Sequence, residues 1–299
     1  MEHFKTKKLM GTEIMITIFW EKNPNQDIEK VFDIFHDLEK EFSRFKSESR
    51  LSVLNKKRTY EVSDTFIDVL NKCKELYADT DFYFNPLINV RQLGYSNDFH
   101  SKQFKKEDTE LHVNLQLEKL KIKGNTVSLH EGQNLDLGGI VKWYGVDKAK
   151  TYLDNVGYKN YIIDAWGDIY TAGTNETGGK IVVGIDSPYT KGNIFATIDV
   201  EDISIATSGN YKRKRTIENQ EYNHIINPIT SNNNNEIISI TIIADTCYLA
   251  DAYATACIAM GLEKTLEFLK KNHIEGVIMC TNKKVYTTQW MKTYNLKII

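Results

Sequence analysis

The chain has 299 residues, 41% of them hydrophobic, and a formal net charge of −2 at pH 7. This length can bury a substantial core, and we expect a single domain over residues 1–299, with two closely packed lobes as the alternative. The near-neutral charge excludes an overall basic bias toward nucleic acid or acidic membranes, and the sequence has no apolar run long enough to span a bilayer.

The N-terminal third shows one strand pattern and two helix patterns. Residues 1–8 lack the apolar core of a secretory signal, so we expect a cytoplasmic chain, or an exported form whose leader has been removed. Residues 14–19 are rich in β-branched side chains and predict a strand. Apolar residues recur at helical spacing over residues 28–42 and 66–76, which predicts two helices. Residues 96–108 are polar and charged and predict a surface insertion.

A Gly-Gly pair precedes an amphipathic run at residues 143–155. Asp136 and Lys142 flank the pair Gly138 and Gly139. Glycines allow close backbone approach to a ligand, and the N-terminus of a following helix offers unpaired N–H groups to an anion. This chemistry suits a diphosphate. The spacing matches neither the Walker loop nor the dinucleotide fingerprint, so a turn that only caps a helix is the alternative.

Further along, Thr207, Ser208 and Gly209 predict a turn that presents hydroxyls and a backbone N–H group to phosphate. The basic residues 212–215 predict a solvated hairpin between two strands, because a four-residue cluster is a weak footprint for nucleic acid. His224 opens a short apolar stretch that ends in Asn-Pro. Histidine titrates near neutral pH and is the usual general base for a weak nucleophile, although a structural histidine is the alternative.

The remaining strand patterns decide the fold class. Residues 181–185, 194–200, 237–243 and 276–280 are rich in β-branched side chains and predict strands. Because helices do not alternate regularly with strands, the sequence predicts an α+β fold with mixed or antiparallel sheets and packed helices, and not a doubly wound parallel sheet. The four cysteines show no close pairing motif, and we expect them to be reduced core residues.

The most informative window is the helix-forming run at residues 250–261. Asp251 and Thr255 are four residues apart, so they share a helical face and offer two oxygens to one hard cation. Their neighbours are small or apolar, and an unpaired buried carboxylate is costly. A metal, a hydrogen-bond network or a buried cation would remove that cost, and Mg²⁺ suits oxygen ligands. An acid that points to solvent from an otherwise apolar helix is the alternative.

Taken in order, these segments resemble the FAD:protein FMN transferase family, the ApbE-type flavin transferases. The resemblance covers most of the chain. The segments that carry it lie at residues 9–12, 42–55, 136–147, 166–168, 183–188, 206–211, 224–228 and 250–261. It implies an ApbE-like architecture related to the T-fold.

The resemblance implies an enzyme that uses Mg²⁺ to cleave the diphosphate of its substrate FAD. The FMN half would move through a phosphoester bond to a threonine or serine hydroxyl of a target flavoprotein, and AMP would be released. The acceptor would carry a short motif with Asp upstream of an Ala-Thr pair.

The resemblance also assigns roles to residues. His224 resembles the catalytic base. The residues that resemble metal ligands are Gly139, Asp251, Ala254 and Thr255. The residues that fall at FAD-contacting positions are Met10, Phe45, Asp81, Phe82, Tyr83, Asp136, Lys142 and Ile226, to which the hydroxyl-bearing segment at Thr207, Ser208 and Gly209 adds phosphate contacts.

Besides changed segments at residues 84–87 and 230–235, three single residues depart from the family pattern. Trp143 and Trp166 stand where the family has glycine, and Asn227 stands where it has aspartate. Two alternative functions therefore remain beside flavin transfer. One is Mg²⁺-dependent hydrolysis of FAD to FMN and AMP, and the other is binding of FAD without catalysis.

Overall fold

A computed structural model describes residues 1–88, 114–211, 214–217 and 220–299. The predicted insertion at residues 96–108 lies outside the described residues. The helices in the described part are α1 (Asn25–Phe42), α2 (Arg50–Lys57), α3 (Asp64–Asp79), α4 (Val141–Asn155), α5 (Cys247–Met260) and α6 (Leu262–Lys271), with 3₁₀ turns at Leu117–Lys119 and Met291–Tyr294.

Short strands occupy much of the rest of the described chain. In order they are β1 (Glu2–Leu9), β2 (Thr12–Phe19), β3 (Thr59–Glu61), β4 (Lys121–Lys123), β5 (Thr126–Ser128), β6 (Tyr161–Asp164), β7 (Ile169–Ala172), β8 (Ile181–Asp186), β9 (Ile194–Val200), β10 (Ile203–Gly209), β11 (Lys214–Ile217), β12 (Gln220–Asn223), β13 (Ile237–Ala244), β14 (Glu275–Cys280), β15 (Val285–Thr287) and β16 (Lys297–Ile298).

The central element is an eight-stranded sheet in the order β1-β2-β6-β7-β10-β13-β14-β15. Every neighbouring pair in it is antiparallel. A second sheet has the order β16-β9-β8, a third has the order β3-β5-β4, and β11 pairs with β12. The predicted α+β class with antiparallel sheets is therefore confirmed.

Each face of the central sheet is covered by a different layer. Ala206 of β10 packs in the core beneath the helices with Ala252 and Ala256 of α5. The adjacent residue Ile205 packs in a separate core with Ile198 of β9 and other residues of the small sheet. Successive side chains of a strand point to opposite faces, so β10 lies between the two layers.

The other sequence predictions mostly hold. The helix and strand patterns correspond to α1, α3, α4, α5, β2, β8, β9, β13 and β14. All four cysteines are buried and free. Of the basic run predicted to form a solvated hairpin, Lys214 and Arg215 lie in β11, which pairs with β12, and residues 212 and 213 lie outside the described residues. Among the described residues, no helix combines the length and apolar character needed to cross a bilayer.

The predicted turn at Thr207 is wrong, because the segment continues β10. Thr207 pairs with Thr241 of β13, and Gly209 pairs with Ser239. The preceding part of β10 is rich in β-branched residues, which favour a strand, and its pairing with β13 continues through Thr207, Ser208 and Gly209. Glycine is required at position 209 for steric reasons and not for a turn, since a Cβ there would lie 2.6 Å from the ring of Tyr211.

Helices α1 and α4 touch at a glycine. A Cβ on Gly145 would lie 2.7 Å from Cε1 of Phe35 and 3.0 Å from Cδ1 of Leu38. Both side chains are buried, so neither can easily yield. This close contact fixes the position of α4.

We therefore expect Gly145→Ala to lower the free energy of unfolding by about 1–3 kcal/mol through overpacking. Alanine favours helix over glycine by about 1 kcal/mol, so helix propensity alone predicts stabilisation. Urea denaturation measures the difference. Thr151→Ala, at an exposed position of the same helix, is the control and should change stability by less than about 0.5 kcal/mol. A more stable Gly145→Ala variant would contradict the packing argument.

Candidate active site

Helix α5 presents Asp251 and Thr255 toward strand β10. Asp251 is only 6% exposed, which excludes the alternative of an acid pointing to solvent. The hydroxyls of Thr255 and Ser208 are 3.0 Å apart. Ser208 therefore lies at the candidate site. Thr207 alternates to the opposite face, where its hydroxyl is 2.9 Å from that of Thr241, so its side chain is not brought to α5.

A second buried acid lies beside Asp251. Asp168 follows the turn between β6 and β7, is 5% exposed and accepts the N–H group of Thr207 at 2.8 Å. Burial, and next the negative charge of Asp251, raise the pKa of the Asp168 carboxyl well above its ordinary value. Lys142 and the Thr207 N–H group oppose that rise. Two acids and one lysine therefore share a poorly solvated region.

Sequence reasoning assigned no role to Asp168. The Trp166-Gly167-Asp168 segment was recognised only as part of the family resemblance. Asp168 is brought to Asp251 by the pairing of β7 with β10. These strands are more than 30 residues apart in the chain, so motif spacing does not predict the contact.

The N-terminus of α4 is open to solvent. Gly138 and Gly139 are exposed, and the N-cap residue Ile140 has no side-chain capping hydrogen bond. A Cβ on Gly139 would meet no atom within 4 Å. The N–H group of Gly138 donates to Oδ1 of Asp136 at 3.0 Å. The first turn of α4 can therefore receive an anion between Asp136 and Lys142.

Asp136 borders a polar recess. Its carboxylate is paired with the guanidinium of Arg44, and both side chains are largely buried. The recess has a volume of about 200 Å³, and Asn55 and Asn134 contribute to its lining. The half-exposed ring of Phe45 lies beneath the Arg44 guanidinium at 4.9 Å. The structure thus brings the predicted residues Phe45 and Asp136 to one end of the Gly-Gly loop.

Met10 joins this end of the site through α1. It occupies the tight turn between β1 and β2, and its N–H group donates to Oε1 of Glu39 at 2.8 Å. The other oxygen of Glu39 is 2.8 Å from Nζ of Lys46, the residue after Phe45. Met10 is therefore linked to the Phe45 segment.

The segment Asp81, Phe82 and Tyr83 makes its described contacts elsewhere. Phe82 is half exposed and packs on Tyr77 of α3, with ring centroids 4.6 Å apart. Lys264 of α6 donates to the hydroxyl of Tyr83 at 2.8 Å. It is Pro86, further along, whose carbonyl accepts the N–H group of Asp136 at 2.8 Å. The contacts with Asp136 thus involve the stretch just after the predicted residues.

The His224 segment runs beside the C-terminal half of α5. Ile225 is buried and Ile226 is half buried. The Asn227 amide donates to the carbonyl of Ala259 at 3.1 Å, while its oxygen accepts the N–H group of Ile229 at 2.9 Å. An aspartate could not make both bonds, because an ionised carboxylate only accepts. Asn227 therefore anchors this segment to α5.

Trp143 packs into the core and does not fill the site. It is 4% exposed and belongs to the core formed with β2 and α1. Nζ of Lys142 lies 4.3 Å from its ring centroid. The large side chain therefore occupies space behind α4, away from the exposed Gly-Gly loop.

Asp147 joins α4 to α5. Its Oδ1 accepts the N–H group of Cys247 at 3.0 Å, and its Oδ2 accepts that of Tyr248 at 3.1 Å. These groups belong to the first turn of α5, where N–H donors have no partner within the helix. Desolvation by burial raises the pKa of Asp147 to about 6, against the lowering effect of the two N–H groups.

The donors suit a hard cation. In the part of the chain that the structure describes, no three or more His, Cys, Asp or Glu residues cluster as metal ligands. Asp251 offers one carboxylate and Thr255 one hydroxyl, and Ala254 lies fully buried between them in sequence. Mg²⁺ typically takes one or two protein carboxylates and completes its shell with water and substrate phosphates. The residues present fit this ion.

Comparison with known proteins gives one family. The sequence model of the ApbE family matches residues 10–278. The FAD:protein FMN transferase of Vibrio cholerae is 28% identical over 263 residues, which cover 85% of this chain and 78% of the relative. The protein of the same name from Haemophilus influenzae is 24% identical over 277 residues, covering 87% and 80%.

Solved structures show the same fold. The ApbE protein of Thermotoga maritima superposes with a TM-score of 0.87 at 22% identity, and the match covers 98% of this chain and 99% of that protein. The flavin transferase ApbE of Vibrio cholerae gives a TM-score of 0.84 at 24% identity with the same coverage.

The burial of Asp147 predicts a pH effect on stability. The pKa of its carboxyl group in the folded protein, about 6, lies above the ordinary value of 3.8, so the native state binds the carboxyl proton more tightly than the unfolded state does. Its contribution to the free energy of unfolding is therefore greatest below pH 4 and is lost as the pH rises through 6. Asp147→Asn removes this dependence.

We expect the stability of Asp147→Asn relative to the unsubstituted protein to rise by roughly 2–3 kcal/mol between pH 4 and pH 7. Urea denaturation at both pH values measures it, with Asp33→Asn on the exposed face of α1 as the control for loss of a surface carboxylate. A stability difference that stays constant with pH would show that Asp147 does not titrate in this range.

Proposed function

Because this chain belongs to the ApbE family, we propose that it is a Mg²⁺-dependent FAD:protein FMN transferase. The reaction would move FMN from FAD to a threonine or serine hydroxyl of a flavoprotein and release AMP. The observation that carries the proposal is the meeting of two features. One is the face of α5 that carries the oxygens of Asp251 and Thr255. The other is the open N-terminus of α4, which carries Lys142. The charges of Asp251 and Lys142 both affect the pKa of the buried Asp168, so the two features lie close together.

The residues around the Gly-Gly loop would hold FAD. Asp136, fixed by Arg44, can accept hydrogen bonds from a ribose or a base edge in the adjoining recess. The exposed glycines allow the diphosphate to approach the first N–H groups of α4. Lys142 supplies positive charge to the same phosphates. Met10, Phe45 and Ile226 would complete the apolar contacts.

Asp251 and Thr255, with the carbonyls of Gly139 and Ala254, would hold Mg²⁺. Held by these residues, Mg²⁺ would supply positive charge that offsets the negative charge developing on the phosphates during phosphoryl transfer. Asp251 is buried, so its charge acts at short range with little screening by water. Ser208 would orient the Thr255 hydroxyl through their hydrogen bond.

His224 would act as the base. The acceptor hydroxyl oxygen would attack the phosphorus of the FMN half, and its proton would pass to the imidazole. The bond from that phosphorus to the bridging oxygen breaks, and the electron pair leaves on AMP. Lys142 would stabilise the charge on the departing phosphate. Asn227 holds the His224 segment against α5 by its bond to Ala259, which supports this placement.

The proposed acceptor is a flavoprotein with an Asp residue upstream of an Ala-Thr pair. Incubation of the protein with FAD, Mg²⁺ and a domain that carries this motif, with a chelator control, tests the reaction through AMP release and the mass of the acceptor. Addition of FMN to the acceptor only with Mg²⁺ supports the proposal. Free FMN and AMP with an unmodified acceptor would indicate hydrolysis, and bound FAD without product would indicate a binding protein.

We expect Asp251→Asn to reduce Mg²⁺-dependent AMP release by more than about 100-fold, beyond the loss usual for residues that only support metal ligands. The amide keeps the size of the side chain but removes the charge that holds the cation. Asp245→Asn is the matched control, since Asp245 is exposed just before α5. The rate measured without metal is subtracted as the baseline. Undiminished Mg²⁺-dependent activity in Asp251→Asn would show that Asp251 is not a metal ligand.

His224→Ala should lower kcat for FMN transfer by about 100- to 10,000-fold, the range typical of a general base. The dissociation constant of FAD, measured by flavin fluorescence without Mg²⁺, should change little, because a base acts mainly in the transition state. An equal loss in kcat and in FAD affinity would instead make His224 a binding residue.

A further inference from the structure

Trp166 occupies a backbone conformation that tryptophan rarely adopts. The N–H group of Ala165 donates to the carbonyl of Asp168 at 2.9 Å and closes a four-residue turn between β6 and β7. Both central residues have positive φ, 66° at Trp166 and 93° at Gly167, as in a type I′ turn. Such turns favour Asn-Gly, because Asn and Gly tolerate this region. A large side chain at Trp166 therefore carries a conformational cost.

The turn holds this residue in a fixed place. Oδ1 of Asp164 accepts the N–H group of Gly167 at 2.7 Å. Asp168 is bound to the backbone of Thr207 at 2.8 Å. Strands β6 and β7 are paired directly on either side of the turn. The Cα of Trp166 is thus anchored to the central sheet, which limits the positions that its ring can reach.

The indole is exposed next to the candidate site. Trp166 is 52% exposed, whereas Trp143 is buried in the core. Two residues after Trp166, Asp168 accepts the N–H group of Thr207 at 2.8 Å, and the hydroxyl of the next residue, Ser208, lies 3.0 Å from that of Thr255. The turn that carries the exposed ring is therefore joined to the strand that contacts the proposed metal site.

A fixed aromatic surface beside a diphosphate suits a planar heteroaromatic ring. FAD has two such rings. The recess at the Asp136 end of the Gly-Gly loop, about 200 Å³ with amide groups from Asn55 and Asn134, suits the hydrogen-bonding edge of adenine. The larger and more apolar isoalloxazine ring matches the exposed indole of Trp166.

We propose that Trp166 stacks on the isoalloxazine ring and increases the affinity of this protein for the flavin half of its substrate. The identity of the ligand rests on the proposed function, whereas the contact belongs to this chain in particular. Stacking of one base on an aromatic side chain is worth roughly a 5- to 150-fold change in binding when the side chain is removed.

Two variants separate stacking from folding. Trp166→Asn removes the ring and gives the turn its preferred Asn-Gly sequence, so the Tm should stay equal or rise. Trp166→Phe keeps an aromatic ring. Trp290→Asn is the matched control, because Trp290 is equally exposed but lies near Glu275, at the start of the C-terminal 3₁₀ turn.

The dissociation constants of FMN and AMP are measured separately in the presence of chelator, so that no turnover occurs. We expect Trp166→Asn to weaken FMN binding about tenfold and to leave AMP binding unchanged, with an intermediate value for Trp166→Phe and no change for Trp290→Asn.

Unchanged FMN affinity in Trp166→Asn would overturn the stacking contact, and so would equal weakening of FMN and AMP. Weaker AMP binding alone would overturn the assignment of the flavin ring to Trp166. Failure of the proposed function gives a different result, because the unsubstituted protein would then bind FMN without modifying an acceptor, or would bind neither FMN nor FAD.

Discussion

Buried negative charge between α5 and the central sheet is the constraint on which the rest of the structure depends. Asp168 and Asp251 are each almost fully buried, and the charge of Asp251 raises the pKa of Asp168. Burying a carboxylate without compensation is costly. Lys142 and the Thr207 N–H group offset part of that cost at Asp168, and the proposed cation would add to them beside a helix whose other residues are mostly small and apolar.

Helix α4 is fixed at two points along its length. Its N-terminus follows the exposed Gly-Gly loop, and its first turn carries Lys142. Gly145 presses it against Phe35 of α1, and Asp147 binds the first N–H groups of α5. A single helix therefore sets the distance between the Gly-Gly loop, proposed to bind the diphosphate, and the oxygens of α5. Phosphoryl transfer depends mainly on positioning and electrostatics, so this rigidity serves the proposed chemistry.

Local patterns in the sequence predicted local structure well. The spacing of Asp251 and Thr255 placed both on one face of a helix, and β-branched runs located most of the long strands. The hydroxyl-bearing end of β10 was mistaken for a turn, because only its pairing with β13 shows that the ladder continues through Thr207. Short-range composition cannot reveal such a partner.

The missed parts of the candidate site all depend on contacts distant in sequence. Asp147 meets α5 across 100 residues, and Asp168 meets Thr207 across 39. Trp143 and Asn227 differ from the family pattern, but their roles became clear only from packing. Trp143 fills the core behind α4, and Asn227 needs an amide to bond both Ala259 and its own loop. Periodicity and motif spacing carry no information about such contacts.

The most direct test of the account is the thermal stability of the protein as Mg²⁺ is titrated in the presence of saturating FAD. A ligand that binds only the native state stabilises it by RT ln(1 + [L]/Kd), so the Tm keeps rising with the logarithm of the ligand concentration above Kd. If the buried carboxylates and the diphosphate form one cation site, Mg²⁺ should raise the Tm above the value with FAD alone, and the rise should grow with the Mg²⁺ concentration. A Tm that does not respond to Mg²⁺ when FAD is bound would contradict the account.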